Sequence, residues 1–133
     1  GTRTKLVNTF LAVASCQFNA EALALSQGFG LDLERTLDVI YGTTAVNGQL
    51  KVNWPDKVLK GDTAPGFTID LAHKDLSLII QAANAAKVPM PMAAAAREMF
   101  TAARARGFGK QDFSAMADAH CDLANVAKPR LKK

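Results

Sequence analysis

From Thr2 to Gln27 the chain runs without a proline or glycine, and Gly28 and Gly30 then follow in quick succession. Within the run Leu11, Ala14, Phe18, Ala22 and Leu25 recur at three- and four-residue steps, the spacing of one helical face. The stretch therefore predicts a first helix over residues 2–27, about 39 Å long at 1.5 Å per residue. A helix of that length in a small domain connects something or forms a central post.

The remaining sequence continues in the same manner. Asp32 is placed to cap a second helix through about residue 42, with Leu33, Leu37 and Ile40 on one face. A short helix over 46–53 is expected to stop before Pro55, and 56–66, with Gly61, Pro65 and Gly66, reads as a loop. A fourth helix over 68–87 carries Leu71, Leu78 and Ala82 on one stripe and Leu76, Ile79, Ile80 and Ala83 beside it. Apolar nearly all round, it is expected at the centre of the fold. Pro89 and Pro91 precede a fifth helix ending at Arg106, and Gly107-Phe108-Gly109 leads into a sixth from Asp112 or Phe113 to about residue 126. Twenty-four alanines and few β-branched runs leave little material for strands. The expected fold class is all-α, one domain of about six helices.

Composition narrows the function classes. At 133 residues, with 49% hydrophobic and 21% charged residues, there is enough apolar material for one core and no signature of disorder. No apolar run reaches the roughly 18–20 residues of a membrane span. Val13-Ala14-Ser15-Cys16 resembles a lipoprotein processing site, but Asn8 and Thr9 interrupt the apolar stretch and the helical pattern continues past Cys16. A cytoplasmic protein is expected. Cys16 and Cys121 are too few for a disulfide scaffold, and with His73 and His120 they show no ligand spacing, so no metal site is expected. The net charge of +4 lies in the tail: Lys128, Arg130, Lys132 and Lys133 account for it, leaving 12 basic against 12 acidic residues. Residues 127–133 read as a solvated basic tail, and nucleic acid is not an expected partner.

Three short patterns could carry chemistry. Gly28-Phe29-Gly30 and Gly107-Phe108-Gly109 lack the rest of a G-x-G-x-x-G and follow no strand, so they are helix stops. Lys5, Asn8, Thr9 and Ala12 lie at i, i+3, i+4 and i+7, which sets an ammonium, an amide and a hydroxyl on one face of the first helix. The positive end of a helix dipole disfavours a charged ammonium and so favours proton transfer, although a solvated polar turn satisfies the same spacing. Phe67, Leu71, Lys74 and Leu78 share a face of the fourth helix, where the lysine either snorkels or meets an anionic or amide partner.

Together these blocks resemble the C-terminal half of the β-hydroxyacid dehydrogenases, the family of 3-hydroxyisobutyrate dehydrogenase and tartronate semialdehyde reductase, related to 6-phosphogluconate dehydrogenase. The resemblance covers residues 1–126. It runs through Lys5-Leu6-Val7-Asn8-Thr9, Glu21-Ala22-Leu23, Gly30-Leu31-Asp32, Gly61-Asp62, Pro65-Gly66-Phe67, Lys74-Asp75-Leu76, Val88-Pro89-Met90-Pro91, Gly107-Phe108-Gly109 and Asp112-Phe113-Ser114. Residues 54–59 and 69–76 are most similar to the sulfolactaldehyde reductase branch.

The resemblance implies a 6-phosphogluconate dehydrogenase C-terminal-like helical bundle with a long interdomain helix. It also implies a Rossmann domain outside this sequence, a homodimer or homotetramer, NAD or NADP as cofactor, and a small hydroxyacid or semialdehyde as substrate. Lys5 matches the catalytic lysine, Asn8 and Thr9 the substrate-binding asparagine pair, Lys74 the lysine that reaches the cofactor, and Phe67 a residue packing at the nicotinamide side. Thr9 replaces the second asparagine, and Ala12 stands where the sulfolactaldehyde branch has a serine. A different reading of the same residues is a non-catalytic helical oligomerisation module with both lysines structural.

Overall fold

A computed structural model of the chain describes residues 1–132. Five α-helices carry the architecture: α1 (Thr2–Gly28), α2 (Leu33–Tyr41), α3 (Ile69–Ala85), α4 (Pro91–Ala105) and α5 (Met116–Leu123). No strand occurs among the described residues, and the one isolated antiparallel bridge joins Thr68 to Asp112. The all-α class and the six helical blocks are those the sequence predicts.

Local chemistry sets the helix ends. The Asp32 carboxylate accepts the Arg35 N–H and starts α2, and the Thr68 hydroxyl accepts the Leu71 N–H and starts α3. Pro91 opens α4, where its missing N–H costs nothing, and Gly107 follows the helix at a positive φ that other residues rarely adopt. Between α2 and α3 the chain differs from expectation. A π-helical turn (Gln49–Asn53) passes directly into 3₁₀ turns at Trp54–Asp56 and Val58–Lys60. Pro55 sits in the first turn of a short helix and does not end one. The expected loop places Val58 and Leu59, with Trp54, entirely out of solvent, so this segment is a wall of the core.

α1 packs along α5 and also touches α3 and α4, while α3 and α4 pair with each other. Trp54, Phe100, Leu23, Leu59, Ile69, Leu76 and Met116 fill the centre. The face that α1 buries is Val13, Cys16, Ala20, Leu23 and Ala24, rotated away from the expected stripe. Of that stripe Leu11, Phe18 and Leu25 are 63%, 49% and 57% exposed. Both stripes obey helical spacing, so periodicity cannot choose between them; the buried one carries the small side chains of Cys16, Ala20 and Ala24, which allow neighbouring elements close approach. α3 is likewise one-sided: Ile69, Ala72, Leu76 and Ile79 face inward and Leu71 and Leu78 outward.

The solvated tail expected over 127–133 is instead docked along its described part. Pro129 is fully buried, Leu131 packs on the core and donates its N–H to the Leu59 carbonyl at 2.7 Å, and the Lys132 N–H reaches the Glu34 carboxylate. Arg130 forms a bidentate pair with the buried carboxylate of Asp118, both N···O distances being 2.8 Å. The guanidinium fork satisfies both oxygens of an acid that would otherwise be buried without a counter-charge.

Candidate functional site

The first fully buried residue of α1 is Val13, with Phe10 packed partly against the core, so the turns carrying Lys5, Asn8 and Thr9 lie at the edge of the body. Thr9, Cys16 and Leu23 succeed one another at seven-residue intervals, as do Lys5, Ala12 and Asn19. Cys16, Leu23 and Asn19 are buried. Lys5 and Thr9 thus project on the side of the helix that, further along, faces the core. Lys5 and Asn8 are exposed and Thr9 is half-buried. Among the described residues neither the Lys5 ammonium nor the Asn8 amide has a side-chain partner.

Phe67 and Lys74 are positioned by a different device. Asp112 is only 4% exposed, and its carboxylate accepts four hydrogen bonds. Gly66 N and Phe67 N donate to one oxygen at 2.9 and 3.2 Å, and Ser114 N and Ser114 Oγ donate to the other at 3.1 and 2.6 Å. Burial alone pushes the carboxyl up; the bonds from Ser114, Gly66 and Phe67 outweigh it and hold Asp112 below the ordinary carboxylate range. The clamp is completed by Phe113 N–H on the Phe67 carbonyl and by an edge-to-face contact of the Phe67 and Phe113 rings, centroids 5.1 Å apart. The loop holding Phe67 therefore has little freedom, and α3 starts from it in a fixed direction. Lys74 then stands exposed on the outward stripe of α3 with Leu71 and Leu78, and among the described residues it makes no ion pair.

Asp112 had no role in the sequence reading beyond opening a helix. The Asp-x-Ser spacing at 112–114 is that of a local cap, and the partners at Gly66 and Phe67 are 45 or more residues away. His73, beside Lys74, ties α3 to α4: its Nε2 lies 2.8 Å from the Thr101 hydroxyl and its Nδ1 3.3 Å from Arg104, which also pairs with Asp70. Partial burial and the cations Arg104 and Arg97 hold His73 below the usual imidazole range, against Asp70 and Glu98. Cys16 and Cys121 are free and buried, and burial pushes both thiols up, Cys121 to about 11. No cluster of three or more potential metal ligands forms among the described residues.

Among the described residues, the two main hollows lie away from these groups. A groove of about 370 Å³ lined by Ile80, Asn84, Val88, Met90 and Ala94 includes none of Lys5, Asn8, Thr9, Phe67 or Lys74. What the fold presents is two unpartnered cations, an amide and a hydroxyl on two exposed surfaces. Lys74 is exposed on α3 and Phe67 half-buried in the loop before it, and the described residues hold no glycine-rich strand-to-helix turn for a pyrophosphate.

Comparison with known proteins matches the chain to part of longer proteins. The chain is 44% identical over 118 residues to 3-sulfolactaldehyde reductase of Escherichia coli (strain K12), matching 89% of this chain and 40% of that protein. It is 35% identical over 116 residues to 2-(hydroxymethyl)glutarate dehydrogenase of Eubacterium barkeri, covering 87% of this chain and 38% of that one. A crystal structure of 3-hydroxyisobutyrate dehydrogenase from Salmonella typhimurium superposes with a TM-score of 0.82 at 33% identity, over 89% of this chain and 41% of the other. The chain thus spans about 40% of the length of the curated relatives it matches. Residues 1–120 match the family described as "NAD-binding of NADP-dependent 3-hydroxyisobutyrate dehydrogenase", and the chain belongs to that family.

Proposed function

We propose that this chain is the helical C-terminal half of an NAD(P)-dependent β-hydroxyacid dehydrogenase that interconverts a small hydroxyacid and its semialdehyde. The observation that carries the reading is the conjunction of family membership over residues 1–120 with an unpartnered Lys5-Asn8-Thr9 turn at the free end of α1. The nicotinamide supplies the hydride when bound. Lys5 Nζ donates a proton to the substrate carbonyl oxygen during reduction and takes it back from the hydroxyl during oxidation. The Asn8 amide and Thr9 hydroxyl orient the substrate's polar groups, with Thr9 offering a shorter reach and one donor fewer than an asparagine. Phe67 and Lys74 would contact the nicotinamide cofactor when it is bound, Phe67 from the loop that the Asp112 clamp fixes and Lys74 from α3, which that loop leads into. The pyrophosphate requires a helix N-terminus from a Rossmann half outside this sequence, so the 133-residue chain alone carries out no turnover.

The test uses the longer protein. A panel of hydroxyacids and semialdehydes, sulfolactaldehyde included, is assayed with NAD and NADP on the wild type and on Lys5→Ala. The substitution lowers kcat by about 10²–10⁴-fold with cofactor affinity retained; near-wild-type turnover sinks the assignment of Lys5.

A further inference from the structure

Residues 47 and 48 lead from the loop after α2 into the π-helical turn, and they form the one Asn-Gly step in the sequence. Neither backbone nor packing requires a glycine there. Gly48 has φ −61° and ψ −39°, a right-handed conformation open to any residue, and a Cβ added to it would meet nothing within 4 Å. Gly48 is exposed, and among the described residues its N–H donates to no backbone acceptor. A carboxamide followed by a bare, solvated peptide nitrogen is a labile pair, because no side chain shields that nitrogen from the asparagine Cγ. The Asn47 amide, by contrast, is held from the core. Asn19 on α1 is only 3% exposed; its Nδ2 donates to Asn47 Oδ1 at 3.0 Å, and Asn47 Nδ2 donates back to Asn19 Oδ1 at 2.8 Å. The Leu50 N–H donates to the same Asn47 oxygen at 3.0 Å. Two of the three bonds that fix the plane of this amide therefore come from one buried side chain 28 residues away.

We infer that Asn47-Gly48 is a self-modification site and that Asn19 is the latch that keeps it closed in the folded chain. Once the amide is released, a solvent base takes the Gly48 N–H proton and the nitrogen attacks Asn47 Cγ. The new N–Cγ bond forms as the Cγ–Nδ2 bond breaks, and Nδ2 takes a proton from water and leaves as ammonia, closing a succinimide ring. Water then opens either ring carbonyl and leaves aspartate or isoaspartate at position 47. One water is consumed and one ammonia released, with no change of oxidation state. The product does not refit the latch. A carboxylate offers no donor to Asn19 Oδ1, so a buried acceptor is left facing another acceptor. An isoaspartate also lengthens the backbone just ahead of the turn that buries Leu50. The modification therefore cuts the tie between α1 and this turn and cannot reverse itself. The inference stands on these residues alone and is independent of the dehydrogenase reading.

The test incubates the 133-residue chain at mildly alkaline pH, folded and in unfolding urea, and reads position 47 by peptide mapping for isoaspartate and by ion exchange for the more acidic product. The unfolded chain is expected to convert, and the folded chain to convert at least about tenfold more slowly, the protection that two ordinary hydrogen bonds supply. Asn19→Ala under folding conditions is expected to lose most of that protection. Should this variant lose helicity, Asn19→Asp, which keeps the shape and gives up only the bond to Asn47 Oδ1, is read in its place and is expected to convert faster than wild type. Gly48→Ala is expected to keep the wild-type urea midpoint and to give far less product, folded or unfolded, because its Cβ enters open space in the fold but shields the attacking nitrogen. Absence of product at position 47 in the unfolded wild type, or equal product from Gly48→Ala, overturns the site. Equal rates in the folded and unfolded wild type, or an Asn19 variant no faster than wild type, overturn the latch.

Discussion

Asp112 shows how much one side chain can organise. Four donors converge on a carboxylate that water barely reaches, and they come from both sides of the turn that aims Phe67. Asp112→Asn keeps the shape but turns an acceptor into a donor facing Ser114 or Gly66, and is expected to cost about 2–3 kcal/mol at pH 7. The pH dependence has a definite sign. The folded carboxyl titrates below its unfolded value, so its stabilisation is present above the ordinary carboxylate pKa and is lost as pH falls through the depressed folded value. Urea titrations between about pH 5 and pH 2 should therefore show wild type losing its advantage over the variant. Lys5, Asn8 and Lys74 could be singled out as candidates because each carries a polar group that stands out in its own helical turn, while the roles proposed for them come from the family resemblance. Asp112 was not, because a carboxylate becomes an anchor only when chain topology delivers donors from a distant loop.

At the scale of the element, sequence period and burial separate. The six helical blocks followed from alanine content, caps and breakers. Which side of α1 faces inward did not, because Leu11-Phe18-Leu25 and Val13-Ala20-Leu23 are both apolar and both helically spaced. Two substitutions two residues apart separate the faces. Leu23→Ala empties a fully buried site and is expected to destabilise by about 2–5 kcal/mol, whereas Leu25→Ala in the 133-residue chain is expected to change stability by about 1 kcal/mol or less. Equal losses would mean that the inward face is wrongly placed. The segment from Trp54 to Lys60 defeated sequence reasoning for a different reason. Its short 3₁₀ turns have no long period to detect, yet they bury Trp54, Val58 and Leu59.

Across the whole molecule the last residues act as a strap. Gln27 at the end of α1 donates to the Ala127 carbonyl, Arg130 grips Asp118 on α5, Leu131 pairs with Leu59, and Lys132 reaches Glu34 on α2. Charge counting had read these residues as a solvated end; a proline and an arginine among lysines proved to be packing and pairing groups. Arg130→Ala leaves the Asp118 carboxylate buried and unpaired, and a loss of about 2–4 kcal/mol in the urea-derived stability is expected. Arg130→Ala with an unchanged midpoint would show that Asp118 finds water or another partner.

The strap steadies one end of the fold, and the contrast with the other end is instructive. Lys5 sits eight residues ahead of the first buried residue of α1, about 12 Å along the axis. It is therefore carried at the tip of a lever. A tilt of roughly 10° at Val13 sweeps the ammonium through about 2 Å, several times the tolerance of about 0.5 Å within which a proton donor must be held. The accuracy of the proton transfer proposed for Lys5 must then be imposed from outside this chain, by whatever surface closes over the tip. The clamp at Asp112 fixes the loop that holds Phe67, whereas no comparable clamp reaches Lys5 among the described residues.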